Sequence, residues 1–401
     1  MVGVTSGRMT VRNAALGSLA FFAASPASAI AGDAQLPPGG AAILSWTPDQ
    51  QVVGFRNMEK IDPSRVIRRG PHVRALPMAA TQIDPTWTWN GRTYDVASYV
   101  TRMRTSGVIV LKGGRIVLER YGLGRRPDDR WTSFSVAKSV TSTLIGAAIQ
   151  DGYIKSLDAP VTDYIPELEG SAYNGVTIRQ LLTMTSGVKW NEDYSDPHSD
   201  VAQAGETILE PGVNPIVSYM RRLPRADPPG ARWVYKTGET DLAGILVSNA
   251  VGRPLADYLS EKIWAPFGME QDAIWVEDVA GHERGGCCIS MTLRDYARFG
   301  QFMLEGGKAG GAPVLPQGWV ADATSEHAKL PPGEGGYGYF WWLIPGGYAA
   351  EGIFGQQVFV YPQDRVVIAI NSAWPKADNT DDWVAQAAFA EALRSAANAA
   401  R

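Results

Sequence analysis

Two short runs one hundred residues apart contain the residue types for nucleophilic chemistry: residues 135–138 (SVAK) and 235–237 (YKT). The first run begins a predicted helix over 135–152, whose apolar residues bury one face. On a helix of 3.6 residues per turn, positions i and i+3 lie on the same side. The Ser135 hydroxyl and the Lys138 amine can therefore meet, which a serine nucleophile served by a lysine requires.

The N-terminal end of a helix is a favourable place for this pair. Backbone N–H groups and the helix dipole stabilise negative charge at Ser135 and disfavour an ammonium on Lys138. Burial depresses a lysine pKa, so a neutral Lys138 can act as the base. The alternative is that Ser135 only caps the helix and that Lys138 is solvated. A second S-x-x-K match, 186–189 (SGVK), is rejected because Gly187 follows a helix end.

Other catalytic machinery is not recognisable in the sequence. There is no G-x-S-x-G elbow, and none of the four histidines has a triad context. No H-E-x-x-H run or paired Cys/His spacing predicts a metal site, so we expect neither a metal nor a cofactor. A net charge of -4 and a pI near 5.7 give no basic surface and exclude nucleic acid as an expected partner.

The N-terminus has the order of an export signal. Arg8 and Arg12 precede the apolar run 14–24, and the small-residue pattern A-x-A follows at 27–29. We therefore predict a signal peptide over residues 1–31 and an exported protein, with Met9 as a possible true start. The alternative is an Ala-rich leader on a cytoplasmic protein. The apolar run is too short to cross a membrane, and no other segment reaches the roughly 18 residues needed.

Cys287 and Cys288 are the only cysteines and are adjacent. Neighbouring cysteines rarely bridge each other. We predict a pair of small buried residues, which is the usual state of a free cysteine.

Strand patterns lie at both ends of the chain and helix patterns in its middle. We predict an α/β (α+β) fold in which one antiparallel sheet combines strands from about 105–122 and 337–372. A mostly helical lobe over about 150–325 is inserted between them, and the crevice holds the start of the 135–152 helix. Residues 32–100 are an irregular wrapping segment before the domain, 101–401. The predicted strands are 107–111, 115–121, 337–344, 352–361 and 365–371, and the other predicted helices are 177–184, 242–251, 293–304 and 381–397.

Three ordered blocks resemble a known superfamily. They are 131–152 (WTSFSVAKSVTSTLIGAAIQDG), 176–188 (VTIRQLLTMTSGV) and 235–244 (YKTGETDLAG). They resemble the serine β-lactamases and penicillin-binding proteins, class C and esterase branch, in which S-x-x-K is a known motif. The resemblance covers about 100–375. Residues 191–194 (NEDY), 285–286 (GG) and 355–357 (GQQ) also resemble 6-aminohexanoate-dimer hydrolases, which are serine amidases with esterase activity.

The resemblance implies roles for individual residues. Ser135 would be the acylated nucleophile, Lys138 its activating amine, and Tyr235 the relay of protons to and from the leaving group. The oxyanion hole would be the backbone N–H groups of Ser135 and of Ile353, on the strand bordering the cleft. Losing one such donor typically costs ~10²–10³ in rate.

Three departures from the family pattern bear on the substrate. Thr237 replaces the asparagine of the Y-x-N motif, and 236–238 (KTG) spells a β-lactamase box at a place where we interpret it as coincidence. The expected Lys/His-Thr-Gly becomes Ala350-Glu351-Gly352. A β-lactam or D-Ala-D-Ala carboxylate needs a positive partner there. We therefore expect weak β-lactam turnover and favour a neutral ester or amide.

A loop and several aromatic residues complete the predicted site. Asp193 and Tyr194 fall in a loop that could cap the cleft; further candidates for its lining are Trp190, Thr237, Trp341, Trp342 and Gly352. For each, an ordinary surface or packing role is the alternative.

The predicted function is cleavage of small esters or linear amides through a Ser135 acyl-enzyme, without a cofactor. The alternatives are a β-lactamase or D-Ala-D-Ala carboxypeptidase, and a non-catalytic sensor that keeps the pocket. The sequence predicts no oligomeric state.

Overall fold

Strands from both ends of the chain pair in one eight-stranded sheet. The computed structural model describes residues 35–330 and 335–400, and the predicted signal peptide, 1–31, lies outside them. All neighbours are antiparallel. The order is Ala328–Lys329, Gly336–Tyr337, Trp342–Ile344, Gly347–Gly352, Gln356–Tyr361, Val366–Ser372, Thr105–Lys112 and Arg115–Tyr121. The early hairpin thus joins the late strands, and the predicted fold class is confirmed.

Both faces of this sheet are buried. Because side chains alternate along a strand, Val108 and Val110 pack with the closing helix Thr380–Ala399, while Ile109 and Leu111 belong to the core on the opposite face. That opposite face carries the helix Leu293–Leu304, whose bounds match the sequence prediction. A sheet covered on both sides gives a rigid support for whatever lies at its edge.

The helices fill the middle of the chain. Thr177 caps the helix Ile178–Leu182 through its side chain, as predicted. The helix predicted from residue 242 begins five residues earlier. The α-helices are Pro48–Gly54, Val96–Arg102, Val136–Gln150, Ile178–Leu182, Asp200–Gln203, Pro215–Met220, Thr237–Val251, Leu255–Leu259, Ala265–Phe267, Leu293–Leu304, Trp319–Ala323 and Thr380–Ala399. One π-turn, Ser260–Trp264, and four 3₁₀ turns, Gly40–Ser45, Met58–Lys60, Val161–Asp163 and Pro166–Leu168, complete the helical elements of the described residues.

The helix Val136–Gln150 is buried all round, which corrects the prediction of one buried face. Every residue from Val136 to Ala148 is buried. Two of its short polar side chains donate to backbone carbonyls of other segments: Ser139 to Phe340 O (2.7 Å) and Thr141 to Gly285 O (2.7 Å). Serine and threonine can therefore face the core here at little cost.

Two of the three late strands were predicted with wrong bounds. The run 352–361 contains a turn at 353–355 and is preceded by the strand Gly347–Gly352, which the sequence did not reveal. The run 337–344 is interrupted, because Phe340 adopts a positive φ of 58° between two short strands. The last strand, Val366–Ser372, is confirmed.

A smaller four-stranded sheet supports the start of the central helix. Its order is Ser64–Ile67, Ala273–Val276, Ile289–Met291 and Trp131–Thr132. The last pairing, together with the hydrogen bond from Ser133 N to Ile289 O (2.8 Å), fixes the chain before Ser135 beside the loop that precedes Ile289.

The segment before residue 105 has regular structure of its own. It contributes the strand Ser64–Ile67 to the small sheet and forms a separate hairpin, Thr86–Trp89 with Arg92–Asp95. A further hairpin joins Lys308–Ala309 and Ala312–Pro313. Among the helices of the described residues, none combines the length and the apolar composition that crossing a membrane takes.

Candidate active site

Ser135 lies at the junction of the two sheets and the central helix. It is the residue immediately before Val136–Gln150, has helical backbone angles, and makes no side-chain cap to the helix. Phe134 before it has a positive φ of 44°, a conformation that costs energy for a residue with a side chain. The predicted alternative, in which Ser135 is only a helix cap, is therefore wrong, and its hydroxyl is free to serve another purpose.

Lys138 points at three oxygen atoms. Its Nζ lies 3.1 Å from Ser135 Oγ, 2.9 Å from Thr237 Oγ1 and 2.9 Å from the Gly286 carbonyl oxygen. The side chain is only 1% exposed, so the alternative of a solvated lysine is wrong as well. These three acceptors match the three donors of an ammonium, and none of them is a carboxylate.

Burial without a directly bonded carboxylate favours the neutral amine. Loss of hydration lowers the pKa of Lys138 to about 8, against the opposing charges of Glu192 and Asp241. Burial raises the pKa of Asp241 to about 6, although the Gly286 N–H donates to it (2.8 Å). A substantial neutral fraction of Lys138 is therefore available near pH 8.

Tyr235 stands over the same pair of side chains. The Lys138 Nζ lies 5.2 Å from its ring centroid, and its phenol makes a polar contact with the Ser135 side chain. Burial, followed by the charge of Glu192, holds the pKa of Tyr235 well above its ordinary value. The phenol is therefore protonated at neutral pH and is suited to donate a proton.

The predicted oxyanion positions also meet here. A Cβ on Gly352 would come within 2.9 Å of the Ser135 nitrogen and 2.5 Å of the Ser133 oxygen, so only glycine permits this approach of the two backbones. Ile353 follows in the turn after the strand Gly347–Gly352, rather than on the strand as predicted. Ser135 and Ile353 face the same cavities.

Two cavities meet at Ser135. The first, the disulfide cavity, is lined by both apolar and charged residues. The apolar ones include Leu44, Met58, Val276, Cys287 and Cys288, and the charged ones are Asp62, Glu206, Glu277 and Arg284. The second, the aromatic cleft, is lined by Tyr235, Trp342, Glu351, Asp378 and Trp383. Ser135, Tyr194 and Ile353 border both cavities. A bond cleaved at Ser135 can therefore have one substituent in each cavity.

Cys287 and Cys288 are joined by a disulfide between neighbouring residues. The prediction of two unlinked buried cysteines is wrong, and Cys287 is only half-buried. The pair follows Gly286, whose carbonyl accepts from Lys138. The bridge thus forms part of the wall beside the reacting groups.

Acidic residues outnumber basic ones in the lining of the aromatic cleft, which contains Lys376 beside Glu192, Asp193, Glu351 and Asp378. Glu351 accepts a hydrogen bond from Gln357 Nε2 (2.8 Å), and burial raises its pKa to about 7, with a further contribution from Asp378. Trp342, in the cleft wall, stacks on Tyr235 with ring centroids 5.7 Å apart. Ala350 stands where the resemblance expects a Lys or His, and Glu351 beside it lies in the cleft lining.

Two predicted aromatic lining residues are placed differently. Trp341 is fully buried and stacks on Phe299, so the prediction that it lines the cleft is corrected. Trp190 is 9% exposed, and its indole N–H donates to the Glu192 carboxylate. Trp190 therefore contacts the site through the hydrogen bond to Glu192.

The two runs set aside in the sequence, 236–238 (KTG) and 186–189 (SGVK), have structural roles. The Lys236 ammonium is fully buried and pairs with Glu239 (3.6 Å), so the 236–238 run places no cation in the site. Ser186 donates to the same Glu239 carboxylate, and Gly187 has a φ of +77°. The serine and lysine of 186–189 therefore do not form a reactive pair.

Three contributors were missed by sequence reasoning: the Gly286 carbonyl, Glu192 and Asp241. Asp241 follows Thr237 by four residues on the helix Thr237–Val251, so helical periodicity could have placed the two on one face. Glu192 lies in the 191–194 run, which drew attention only by resemblance. Gly286 likewise lies in the 285–286 run of the same resemblance, but nothing in the sequence assigns its carbonyl to Lys138.

Chemically, the arrangement offers four elements in one place. A hydroxyl lies beside an amine of lowered pKa, and a protonated phenol lies close to both. Ser135 and Ile353, the residues of the predicted oxyanion hole, border both cavities. Such a set suits attack on a carbonyl, stabilisation of the resulting oxyanion and protonation of a leaving group.

Comparison with known proteins shows the family and the fold of the chain. The Beta-lactamase family model matches residues 95–391. A 6-aminohexanoate-dimer hydrolase from Paenarthrobacter ureafaciens is 33% identical over 369 residues, 86% of this chain and 92% of that protein. Esterase EstB from Burkholderia gladioli is 29% identical over 192 residues, 44% of this chain and 48% of the esterase. A proposed 6-aminohexanoate-dimer hydrolase from Bacillus anthracis has a similar structure, with a TM-score of 0.77 at 22% identity, covering 90% of this chain and 98% of that one.

Proposed function

Since the chain belongs to the beta-lactamase family, we propose that this serine hydrolase cleaves small esters or linear amides through an acyl-enzyme on Ser135. The observation that carries the proposal is the 3.1 Å contact between Lys138 Nζ and Ser135 Oγ in a setting that lowers the amine pKa. The hydrolases and esterases among its relatives support this class of reaction.

In the acylation step, neutral Lys138 takes the proton of Ser135 as Oγ bonds to the substrate carbonyl carbon. The carbonyl oxygen becomes an oxyanion held by the N–H groups of Ser135 and Ile353. The C–O or C–N bond then breaks, and Tyr235 gives its proton to the leaving alkoxide or amine. The Lys138 ammonium restores the phenol. Water, deprotonated by the same groups, then releases the acid and regenerates Ser135.

The substrate proposal rests on the two cavities and their charge. One substituent of the scissile carbonyl lies in the disulfide cavity and the other in the aromatic cleft. Glu351 and Asp378 in the cleft disfavour a substrate carboxylate near the Glu351 position. A neutral ester or a linear amide fits these conditions better than a β-lactam does.

A substrate panel tests the proposal. The enzyme is assayed with nitrophenyl butyrate, a chromogenic cephalosporin and a linear aminohexanoate amide dimer. Turnover of the ester, with or without the amide, and little or none of the cephalosporin is the expected result. Preferred cephalosporin cleavage would support a β-lactamase or carboxypeptidase instead, and no turnover of any substrate would support a non-catalytic binding module.

The pH dependence follows from the requirement for a neutral amine. Because burial lowers the pKa of Lys138 to about 8, protons inactivate the base below that value. We expect kcat/KM for a neutral ester to rise about tenfold per pH unit below about pH 7 and to level off above about pH 9. A pH–rate profile, with circular dichroism to verify folding, measures this. A flat profile from pH 6 to 9 would contradict a lysine base.

Replacing Glu351 tests the origin of the expected substrate preference. Glu351→Lys puts a cation in the cleft lining, one residue after Ala350, which stands where the resemblance expects a Lys or His. We expect the ratio of cephalosporin to ester kcat/KM to rise at least about tenfold. Glu351→Gln, which removes only the repulsion, should give a smaller rise. In the wild type this ratio should fall as pH rises through about 7, because Glu351 gains charge. Because the titration of Lys138 affects both substrates equally, it cancels in the ratio. An unchanged ratio in both variants would show that Glu351 is not the origin of the substrate preference.

A further inference from the structure

Glu192 accepts four hydrogen bonds beside the reacting groups. Its Oε2 accepts from the Thr237 N–H (2.9 Å) and the Trp190 indole N–H, and its Oε1 accepts from the Tyr194 hydroxyl (2.7 Å) and the Thr237 hydroxyl. The four donors fill the acceptor sites of a carboxylate. The Thr237 hydroxyl is thereby committed as a donor to Glu192.

This commitment determines which way the lone pair of Lys138 points. A neutral amine has two N–H donors and one lone pair. Of its three neighbours, the Gly286 carbonyl can only accept, and Thr237, which already donates to Glu192, can only accept as well. Only the Ser135 hydroxyl can donate to the amine. The lone pair must therefore face the proton that has to be removed.

From this geometry we infer that Glu192 is a positioning residue: through Thr237 it orients the neutral Lys138 amine toward Ser135. The inference rests on the proposed function, in which Lys138 is the base. The inference also gives a physical reason for Thr237 at the asparagine position of the Y-x-N motif. A neighbouring carboxylate can fix the direction of its hydroxyl.

Glu192 also stabilises the end of a helix. The Thr237 N–H that it binds belongs to the first turn of Thr237–Val251, where backbone donors lack helical partners. If Glu192 had a purely structural role, replacing it would change the stability of the fold but would leave the pKa of Lys138, and so the pH–rate profile, unchanged. The test must therefore read out the amine as well as the fold.

Glu192→Gln is informative because its orientation is forced. The Trp190 indole and the Thr237 N–H can only donate, so the amide oxygen must face them. The amide NH₂ then faces the Thr237 and Tyr194 hydroxyls, which can accept. Thr237 is now free to donate to the Lys138 lone pair in competition with Ser135. Glu192→Gln therefore keeps the size of the side chain and its four hydrogen bonds, but it no longer fixes the direction of the Thr237 hydroxyl.

Two opposite changes are expected in Glu192→Gln. The plateau kcat for a neutral ester should fall about 10- to 100-fold with KM nearly unchanged. The acid limb of the pH profile should move to lower pH, because the charge of Glu192 raises the pKa of Lys138. The other titratable groups facing the amine, Asp241 and Tyr235, are unaltered. Glu210→Gln, in a surface ion pair with Arg221 and Arg222, is the matched control with wild-type rate and pH profile.

Variants at Thr237 supply a second measurement that does not depend on Glu192→Gln folding. Thr237→Ser should keep most of the rate, whereas Thr237→Val, which has the same shape without the hydroxyl, should lose about as much as Glu192→Gln. In the double variant the two losses should not add, since both break one chain of contacts.

The outcomes are separable. If wild-type enzyme neither turns over the ester nor is labelled at Ser135 by an active-site phosphonate, the proposed function fails and this inference with it. If the wild type is active and Glu192→Gln keeps both its kcat and its pH profile, or Thr237→Val matches Thr237→Ser, only the role of Glu192 is overturned. A fall in kcat with an unmoved acid limb and additive losses would assign Glu192 a structural role.

Discussion

Ser135→Ala should abolish ester and amide turnover, with a loss of about 10⁴-fold or more, because no other group in the site can form the acyl-enzyme. Intact-mass measurement after treatment with an active-site phosphonate should show one adduct on the wild type and none on the variant. Ser135 makes no cap to its helix, so removing its hydroxyl leaves the fold unaffected.

The chain offers a matched control for this substitution. Ser142 lies on the same buried helix, and its hydroxyl has no hydrogen-bond partner among the described residues. Ser142→Ala should keep full turnover and one adduct. A persisting adduct in Ser135→Ala, or its loss in Ser142→Ala, would place the nucleophile elsewhere.

The serine–lysine pair was predictable because it depends on local geometry. The i, i+3 spacing fixes the relative direction of Ser135 and Lys138 wherever a helix forms, and the structure brings their side chains to 3.1 Å. The helix Leu293–Leu304 was predicted to the residue for a related reason. Its apolar residues recur on one face, and that pattern depends on no distant contact.

The turn at 353–355 shows where local reasoning fails. Residues 352–361 are rich in strand formers, but Phe354 and Gly355 both adopt positive φ, and the chain reverses. Phenylalanine rarely takes this conformation, so no residue preference marks the turn. The structure holds it through packing of Phe354 on Phe55 and Phe134.

Of the two adjacent tryptophans predicted to line the cleft, Trp342 does so and Trp341 is buried, for a similar reason. Successive side chains on a strand point to opposite faces, so two neighbours do not both face the substrate. The positive φ of Phe340 breaks the strand just before these tryptophans and resets the alternation. The sequence contains two adjacent tryptophans, and only the tertiary structure decides which one faces the substrate.

The groups around Lys138 come from three distant parts of the chain. Gly286 belongs to the loop held beside Ser133 by the small sheet, Glu192 to a surface loop, and Thr237 and Asp241 to a separate helix. Sequence spacing relates only the last two. Burial lowers the pKa of Lys138, and the charges of Glu192 and Asp241, neither of which contacts the amine, offset this only in part.

Tyr235→Phe should lower the rate of amide hydrolysis about 10²–10³-fold, because it removes the proton donor to the leaving amine. Burial holds the pKa of the Tyr235 phenol well above its ordinary value, so it acts as a neutral acid rather than as a phenolate base. An amine is a poor leaving group without a proton, whereas nitrophenolate leaves readily as an anion. We therefore expect a much smaller loss for nitrophenyl butyrate.

The ratio of the two losses is the decisive measurement. The substituted ring still stacks on Trp342, so the shape of the cleft is kept. Tyr337→Phe, in the same aromatic cluster and outside the cavities, is the matched control, and its rates should stay within about twofold of wild type. Equal losses for amide and ester in Tyr235→Phe would mean that the phenol orients Ser135 and Lys138 instead of protonating the leaving group. A variant with near-normal amide hydrolysis would remove Tyr235 from the reaction.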